Sequence, residues 1–337
     1  MSDELRDVVT ERRWGALEEN LGADVMRYMH DDDVFEVIVN PDGHLWLDTF
    51  HDGFVHTGIT LPEQNTKRII YAVADLSGQV IDVQRDPSLQ ADIPKSRLFA
   101  NCRFQAELPP LVSGPSFNIR KHSREVYTLD DYVMQGTMTP LQRDVILQAI
   151  HDERNIIAAG GTKSGKTTLL NAILHEISQL GQRIITIEDT KELKCTAENQ
   201  VGLVTMEHVD MDSLLRKTLR LSPNRIVVGE VRGKEALTLI HAWSTGHRGG
   251  CASVHSESAI ETLYRLEEMV SQASLTPQQA AIARAIDVVV YLRYRATQRR
   301  IEEILFVQDY DKAKDKYIVQ SFKESWLSDS FQKRCSN

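Results

Sequence analysis

The sequence predicts the α/β fold class, with a smaller α+β segment ahead of a larger domain built on a parallel sheet. Three observations carry this. From Thr139 onward, short apolar runs alternate with helical apolar periodicity, the pattern of parallel strands covered by helices. One of those runs, "NIIAA", leads directly into the glycine-rich "GGTKSGKT" and then into "TLLNAILHEISQL". Upstream, "VFEVIVNPDGHLWLD" alternates apolar and polar residues around an NPDG turn, which marks a hairpin.

Taken in order, a polar N-terminal helix comes first, then the hairpin over 34–48 and a helix around 67–76. The stretch "LPPLVSGPSFNIRKHSREVYTLDDYV" is rich in Pro, Gly and Ser and reads as a linker containing one strand. The domain boundary is placed after it, giving residues 1–137 and 138–337. Strands are expected over 155–159, 183–187, 225–229, 250–254 and 287–292. A closing hairpin pairs "RRIEEILFVQ" with "KYIVQSF" across the charged turn "DYDKAKD". No internal repeat or low-complexity tract interrupts this order.

Composition narrows the function classes. With 42% hydrophobic and 26% charged residues in 337, the chain has the usage of a globular protein large enough for two cores. A net charge of −9 argues against a surface built to grip phosphodiester backbones, so no strong direct nucleic-acid binding is expected. No apolar run has the length of a transmembrane helix, and "MSDELRDVVTERR" lacks a signal-peptide core, so a cytoplasmic location is expected. No strong amphipathic anchor is visible, which leaves membrane contact to partner proteins. Cys102, Cys195, Cys251 and Cys335 show no paired spacing and read as reduced thiols.

The chemistry starts at the glycine-rich stretch. Gly160, Gly165, Lys166 and Thr167 fill the fixed positions of the pattern G-x-x-x-x-G-K-[ST]. Between them, Gly161, Thr162, Lys163 and Ser164 offer consecutive backbone N–H groups to phosphate oxygens, and Thr168 continues into a helix whose positive end faces the same anion. Lys166 is expected to reach the β and γ phosphates of ATP, and Thr167 to ligate Mg²⁺. Lys163 occupies a free position of the motif, but a lysine there is strained if the backbone needs a positive φ.

Two further strands end in acids. "RIITIEDTKEL" supplies Glu188, Asp189 and Glu192, and "NRIVVGEVRG" supplies Glu230. Acids at the carboxyl edge of buried strands lie where ligands bind in open α/β sheets. Glu230 is the better candidate for general base, and Glu188 or Glu230 is expected to complete the Mg²⁺ site through water. In "STGHRGGCASVHSES", His247 and His255 bracket a glycine turn and a short strand, placed to bond phosphate oxygens or to transmit the nucleotide state.

Together, "GGTKSGKTTLLNAI", "RIITIEDTKEL", "LLRKTLRLSPNRIVVGEVRG" and "AWSTGHRGGCASVHSESA" resemble the Walker A, Asp box, Walker B and His box of secretion traffic ATPases. The resemblance is to the TrbB-like conjugative transfer branch of type IV secretion. It extends upstream through "VIVNPDGHLWLD" and "SFNIRKHSREVYTLDDYV". It implies a RecA-like P-loop ATPase domain and a ring of six identical subunits. ATP turnover would then drive substrate transfer or assembly at the inner-membrane components of the machine. By position, Glu230 becomes the Walker B acid, Glu188 and Glu192 belong to the Asp box, and His247 and His255 to the His box. Arg120 in "FNIRKH" and Arg103 in "NCRFQ" are candidates to contact the γ-phosphate. Arg216 and Arg220, four apart, read as one solvated helical face. A pilus assembly or retraction ATPase shares all four boxes and is the alternative within the class. An assembly scaffold that binds ATP with little turnover is the alternative outside it.

Overall fold

The computed structural model of the chain describes residues 3–49, 52–93, 102–121, 126–295 and 298–322. It divides into two compact units, Met1–Arg124 and Glu125–Asn337.

In the first unit, helix α1 (Asp3–His30) precedes the hairpin β1 (Val34–Val39) and β2 (His44–Thr49), followed by β3 (Gly53–Thr60). Then come α2 (Glu63–Ser77), β4 (Ser88–Ile93), β5 (Cys102–Glu107) and β6 (Ser116–Lys121). The six strands form an antiparallel sheet in the order β3-β2-β1-β6-β5-β4. Leu17, Leu21 and Val25 of α1 and Ile69, Ile70 and Val73 of α2 bury their apolar stripes with Val37, Phe104, Phe117 and Ile119 of the sheet. Strand alternation sends the next side chains to the other face.

The second unit opens with α3 (Leu129–Met134) and α4 (Pro140–His151). Each starts at a reciprocal capping box: Thr128 with Asp131, and Thr139 with Gln142. The unit therefore begins before the boundary expected at 137/138. Leu129 and Tyr132 of α3 are buried with Ile146 and Leu170, which ties this helix to the second core.

The alternation then runs β7 (Ile156–Gly160), α5 (Lys166–Ser178), β8 (Ile184–Glu188), β9 (Gln200–Val204), α6 (Met211–Thr218) and β10 (Arg225–Val231). It continues through α7 (Glu235–Ser244), β11 (Cys251–His255), α8 (Ala259–Ser271) and α9 (Gln279–Ala285). The closing strands are β12 (Val288–Arg295), β13 (Gln298–Asp311) and β14 (Lys316–Ser321). The sheet order is β14-β13-β12-β7-β11-β10-β8-β9, parallel from β12 to β9, with an antiparallel hairpin on the other edge. The inner strands β7 and β8 are buried along their whole length because both faces are covered. Ile157, Ile185, Val228 and Val254 pack with α6 to α9, while Ile156, Ala158, Ile184 and Val227 pack with α3 to α5.

At the amino edge of this sheet, polar groups lock the strand starts. Arg225 is 1% exposed; its guanidinium donates to Gln182 Oε1 at 2.6 Å, Gly249 O at 2.9 Å and Ile150 O at 3.2 Å, with Glu153 at 3.7 Å. Such a charge is tolerated only when its donors are satisfied. Two glycines of "HRGG" serve this packing: a Cβ on Gly249 would lie 1.7 Å from Arg225 Nη1, and one on Gly250 would lie 2.4 Å from Trp243 Nε1. Cys102 and Cys251 are buried and Cys195 is half-buried, none of them in a disulfide, while Cys335 lies outside the described residues.

Gly249→Ala is expected to destabilise the fold by at least about 2 kcal/mol, since it unseats a buried charge and adds a side chain at φ 73. A urea denaturation midpoint equal to that of the unsubstituted protein would refute this.

Candidate active site

The glycine-rich loop leaves the centre of the sheet. In register, Gly160 at the end of β7 faces His255 of β11 on one side and Leu292 of β12 on the other. A Cβ on Gly160 would stand 2.5 Å from both Leu292 O and Ser164 Oγ, so only glycine lets the chain turn here. Around Gly161 there is open space, which leaves its backbone approachable. Gly165, at φ 95, caps α5, and the first turn of that helix carries Lys166, Thr167 and Thr168, all half-buried. Ser164 is buried and its Oγ donates to Gly161 O at 2.9 Å, closing the loop on itself. The Lys166 ammonium donates to Gly160 O at 3.0 Å and Gly161 O at 2.8 Å. Thr162 is exposed at the loop's outer rim.

Lys163 adopts φ 62, the left-handed region that disfavours a side chain. Its carbonyl accepts a hydrogen bond from Arg299 Nε at 3.1 Å. Arg299 in turn lies over the Tyr294 ring at 5.3 Å, and its Cδ would be 3.1 Å from a Cβ on Gly165. The β12–β13 hairpin thus presses an arginine against the outer side of the loop and holds the strained peptide.

Two and three strands along, β10 and β8 deliver the acids to the same carboxyl edge. Glu188 is 4% exposed and turns inward; its Oε1 accepts from Glu192 N at 2.8 Å and Leu193 N at 2.6 Å. Burial pushes its carboxyl up to about 7, against the lowering effect of those two N–H donors. Gly229 of "VVGE" makes room for it, since a Cβ there would lie 3.3 Å from Glu188 Cγ. Glu230 is partly exposed, and its Oε2 accepts from Arg232 Nη2 at 2.5 Å. Arg232 also reaches Asp189 Oδ2 at 3.4 Å, so one guanidinium bridges the acid-bearing ends of β8 and β10.

The two histidines part company. His255 ends β11 at the carboxyl edge, beside Gly160, where Ser256 N donates to Gly160 O at 3.3 Å. His247 lies before β11 at the opposite edge, half-buried, its backbone N donating to Ala242 O at 3.3 Å. A whole strand, at roughly 3.3 Å per residue, separates them. His247 is therefore not brought to the phosphate loop of its own chain.

In the first unit, Arg103 of β5 and Arg120 of β6 face each other in register, on the face opposite Phe104 and Ile119. Asp92 follows Arg103 in the same cross-strand row and Glu36 follows Arg120, so acids flank the pair. Arg216 and Arg220 do not share a helical face, because α6 ends at Thr218; Arg216 pairs with Asp212 at 2.9 Å.

Sequence reasoning missed Arg232, Arg299 and Asn171. Arg232 was legible as a base two residues after the Glu230 strand end. Arg299 and Asn171 act on loop backbone distant in sequence, and no local pattern reports such pairs. Asn171 of α5 donates to Glu192 O at 3.1 Å and accepts from Lys194 N at 2.7 Å.

Two outcomes are expected. The fold retains a proton on Glu188 up to about 7, above the ordinary 4.5, so this group's stabilisation is full below 4.5 and lost as pH rises through 7. Glu188→Gln keeps an oxygen for both N–H donors and cannot ionise. Its melting temperature should approach the wild-type value near about pH 5 and exceed it increasingly toward about pH 8; parallel curves would refute the assignment. At Lys163, glycine relieves roughly 1 kcal/mol of strain but returns a similar amount of chain entropy, so Lys163→Gly should melt within a few degrees of wild type. Lys163→Val, β-branched at positive φ, should melt clearly lower, and equal melting of the two variants would refute the strain.

Comparison with known proteins agrees with this geometry. A model of the family described as "Type II/IV secretion system protein" matches residues 38–315. The conjugal transfer protein TrbB of Rhizobium radiobacter is 40% identical over 296 residues, covering 87% of this chain and 90% of that protein. The probable conjugal transfer protein TrbB of Sinorhizobium fredii is 39% identical over 307 residues, covering 90% and 92%. The ATPase DotB of Legionella pneumophila, at 17% identity and a TM-score of 0.61 over 90% of this chain and 81% of that one, shares the fold. A glycine-rich loop and two acid-ended strands on one sheet edge, in a chain matched over most of its length, make this protein a member of the type II/IV secretion system protein family.

Proposed function

We propose that this chain hydrolyses ATP as a homohexamer and so powers substrate transfer or assembly in a type IV secretion or conjugation machine. One observation carries the reading: Lys166, Thr167, Glu188, Glu230 and His255 all stand at the carboxyl edge of a single sheet, around a loop whose shape only Gly160 permits. The two TrbB relatives, both described as conjugal transfer proteins, support the transfer machine over a pilus motor.

The loop N–H groups and the amino end of α5 bind the phosphates. Lys166 exchanges its two carbonyl partners for phosphate oxygens, replacing neutral hydrogen bonds with charge-assisted ones that are about twice as strong. The oxygen donors at this sheet edge, the Thr167 hydroxyl and the Glu188 and Glu230 carboxyls, are of the kind that suits a hard cation such as Mg²⁺. When bound, Mg²⁺ neutralises charge on the phosphate oxygens. Glu230 orients the attacking water and takes its proton, and Arg232 holds its carboxylate in place. His255, one strand from the loop, is placed to sense the γ-phosphate. Arg103 and Arg120 offer two adjacent cations suited to a phosphate in transfer. Work would be done at the inner-membrane components of the machine, which the chain meets as a peripheral partner. Among the described residues, no helix is long and apolar enough to cross a membrane.

Phosphate release and native mass test the proposal together. The wild type should turn over ATP with Mg²⁺ as a six-subunit species. Lys166→Ala and Glu230→Gln should lose at least about 100-fold in turnover, with Glu230→Gln still binding ATP. A ring that forms on ATP but hydrolyses no faster than Glu230→Gln would replace the motor with a nucleotide-dependent scaffold.

A further inference from the structure

Helix α5 is apolar where it is buried, with Leu169, Leu170, Ala172, Ile173 and Leu174 fully covered. Asn171 is the exception in this run, an amide only 8% exposed. Burying an amide is unfavourable unless both its ends are matched, and here both are. Its Nδ2 donates to Glu192 O at 3.1 Å, and its Oδ1 accepts from Lys194 N at 2.7 Å. Only one orientation of the amide satisfies this pair.

The residue between these contacts is gripped from two sides. Glu192 presents its N–H to Glu188 Oε1 at 2.8 Å and its carbonyl to Asn171 at 3.1 Å. The first grip comes from strand β8, the second from the helix that begins at Lys166. Asn171 lies four residues after Thr167 and so shares its helical face. The loop carrying Asp189 and Glu192 is thereby set against the same face of α5 that presents the Thr167 hydroxyl.

We propose that Asn171 is a positioning residue for ATP hydrolysis: its amide fixes the register between the Glu188–Lys194 loop and the helix carrying Thr167, so that the loop's acids meet the Mg²⁺–phosphate site. This rests on the ATPase reading above, with Thr167 as the cation ligand. A hydrophobic side chain of equal size would fill the space, so packing alone does not call for an amide. Two hydrogen bonds to one short loop set its position, and misplacement of a catalytic group by about 1 Å can lower turnover 100-fold.

The test uses the full chain with Asn171→Leu, which keeps the branched shape without the amide, and Asn171→Ala as a second variant, each compared with wild type. Four quantities are read: amide hydrogen exchange of the 189–194 loop without nucleotide, ATP affinity in EDTA, the gain in affinity on adding Mg²⁺, and kcat. Faster exchange of the Lys194 amide is expected, together with ATP affinity in EDTA within about twofold of wild type. The Mg²⁺-dependent gain should shrink severalfold and kcat fall at least about tenfold. Wild-type kcat and Mg²⁺ gain in a variant whose loop exchanges faster would overturn the proposal, leaving a structural staple. Equal loss of affinity with and without Mg²⁺ would also overturn it, by tracing the effect to the phosphate loop. Absence of turnover in the wild type would sink the ATPase reading separately, because exchange and the Mg²⁺-dependent gain still measure Asn171.

Discussion

Everything in the second unit depends on the closeness of three strands at Gly160. The backbone of β12 and the side chain of Ser164 approach to within 2.5 Å of where a Cβ would stand. This contact lets the chain turn sharply out of the central strand and start α5 with its amino end over the sheet edge. Parallel strands on both sides, β11 and β12, bring His255 and the Arg299 hairpin to the same turn. Without that closeness the loop would lose both its shape and its neighbours.

The sheet separates stability from chemistry along its length. At the amino edge, Arg225 and Asn155 satisfy backbone carbonyls and N–H groups, and Gly249 and Gly250 leave them space. At the carboxyl edge, polar groups are arranged around an approachable backbone, and some are kept in unfavourable states: Lys163 at positive φ, Glu188 with a raised pKa. Strain and desolvation concentrated at one edge are matched at the other by backbone groups that Arg225 and Asn155 satisfy. The family's histidine motif straddles both, so its glycines and His247 belong to the first edge and His255 to the second.

Legibility from sequence followed the locality of the signal. The five core strands were readable because burial on both faces produces continuous apolar runs, the closing hairpin because the charged turn DYDKAKD separates its two halves, and the phosphate loop because its positions are contiguous. Strand β9 escaped because it is an edge strand, with Gln200, Gly202 and Val204 exposed and only two residues half-buried. In the first unit, β3 escaped because none of its residues is fully buried, and β4 and β5 because Asp92, Arg103 and Glu107 alternate with only three apolar residues per strand. The early start of the second unit was hidden inside a Pro-, Gly- and Ser-rich stretch, where only the Leu129 and Tyr132 contacts reveal it. The places of Glu188, Glu230 and His255 at strand ends were readable from the apolar runs that precede them. Those acting on distant backbone, Asn171 and Arg299, were invisible because their partners are set by the fold alone.

The register of β7 also governs the order in which the protein is made. This strand is the first of its sheet to leave the ribosome, yet its partners are Cys251–His255 and Val288–Leu292, 95 and 132 residues behind it in register. Such long-range parallel pairing folds slowly. The glycine-rich turn therefore waits, synthesised but unsupported, until β11 and β12 have followed it, while the first unit already has all six of its strands. Nucleotide binding thus has to wait for β12, because a chain without that strand lacks a wall of its phosphate loop.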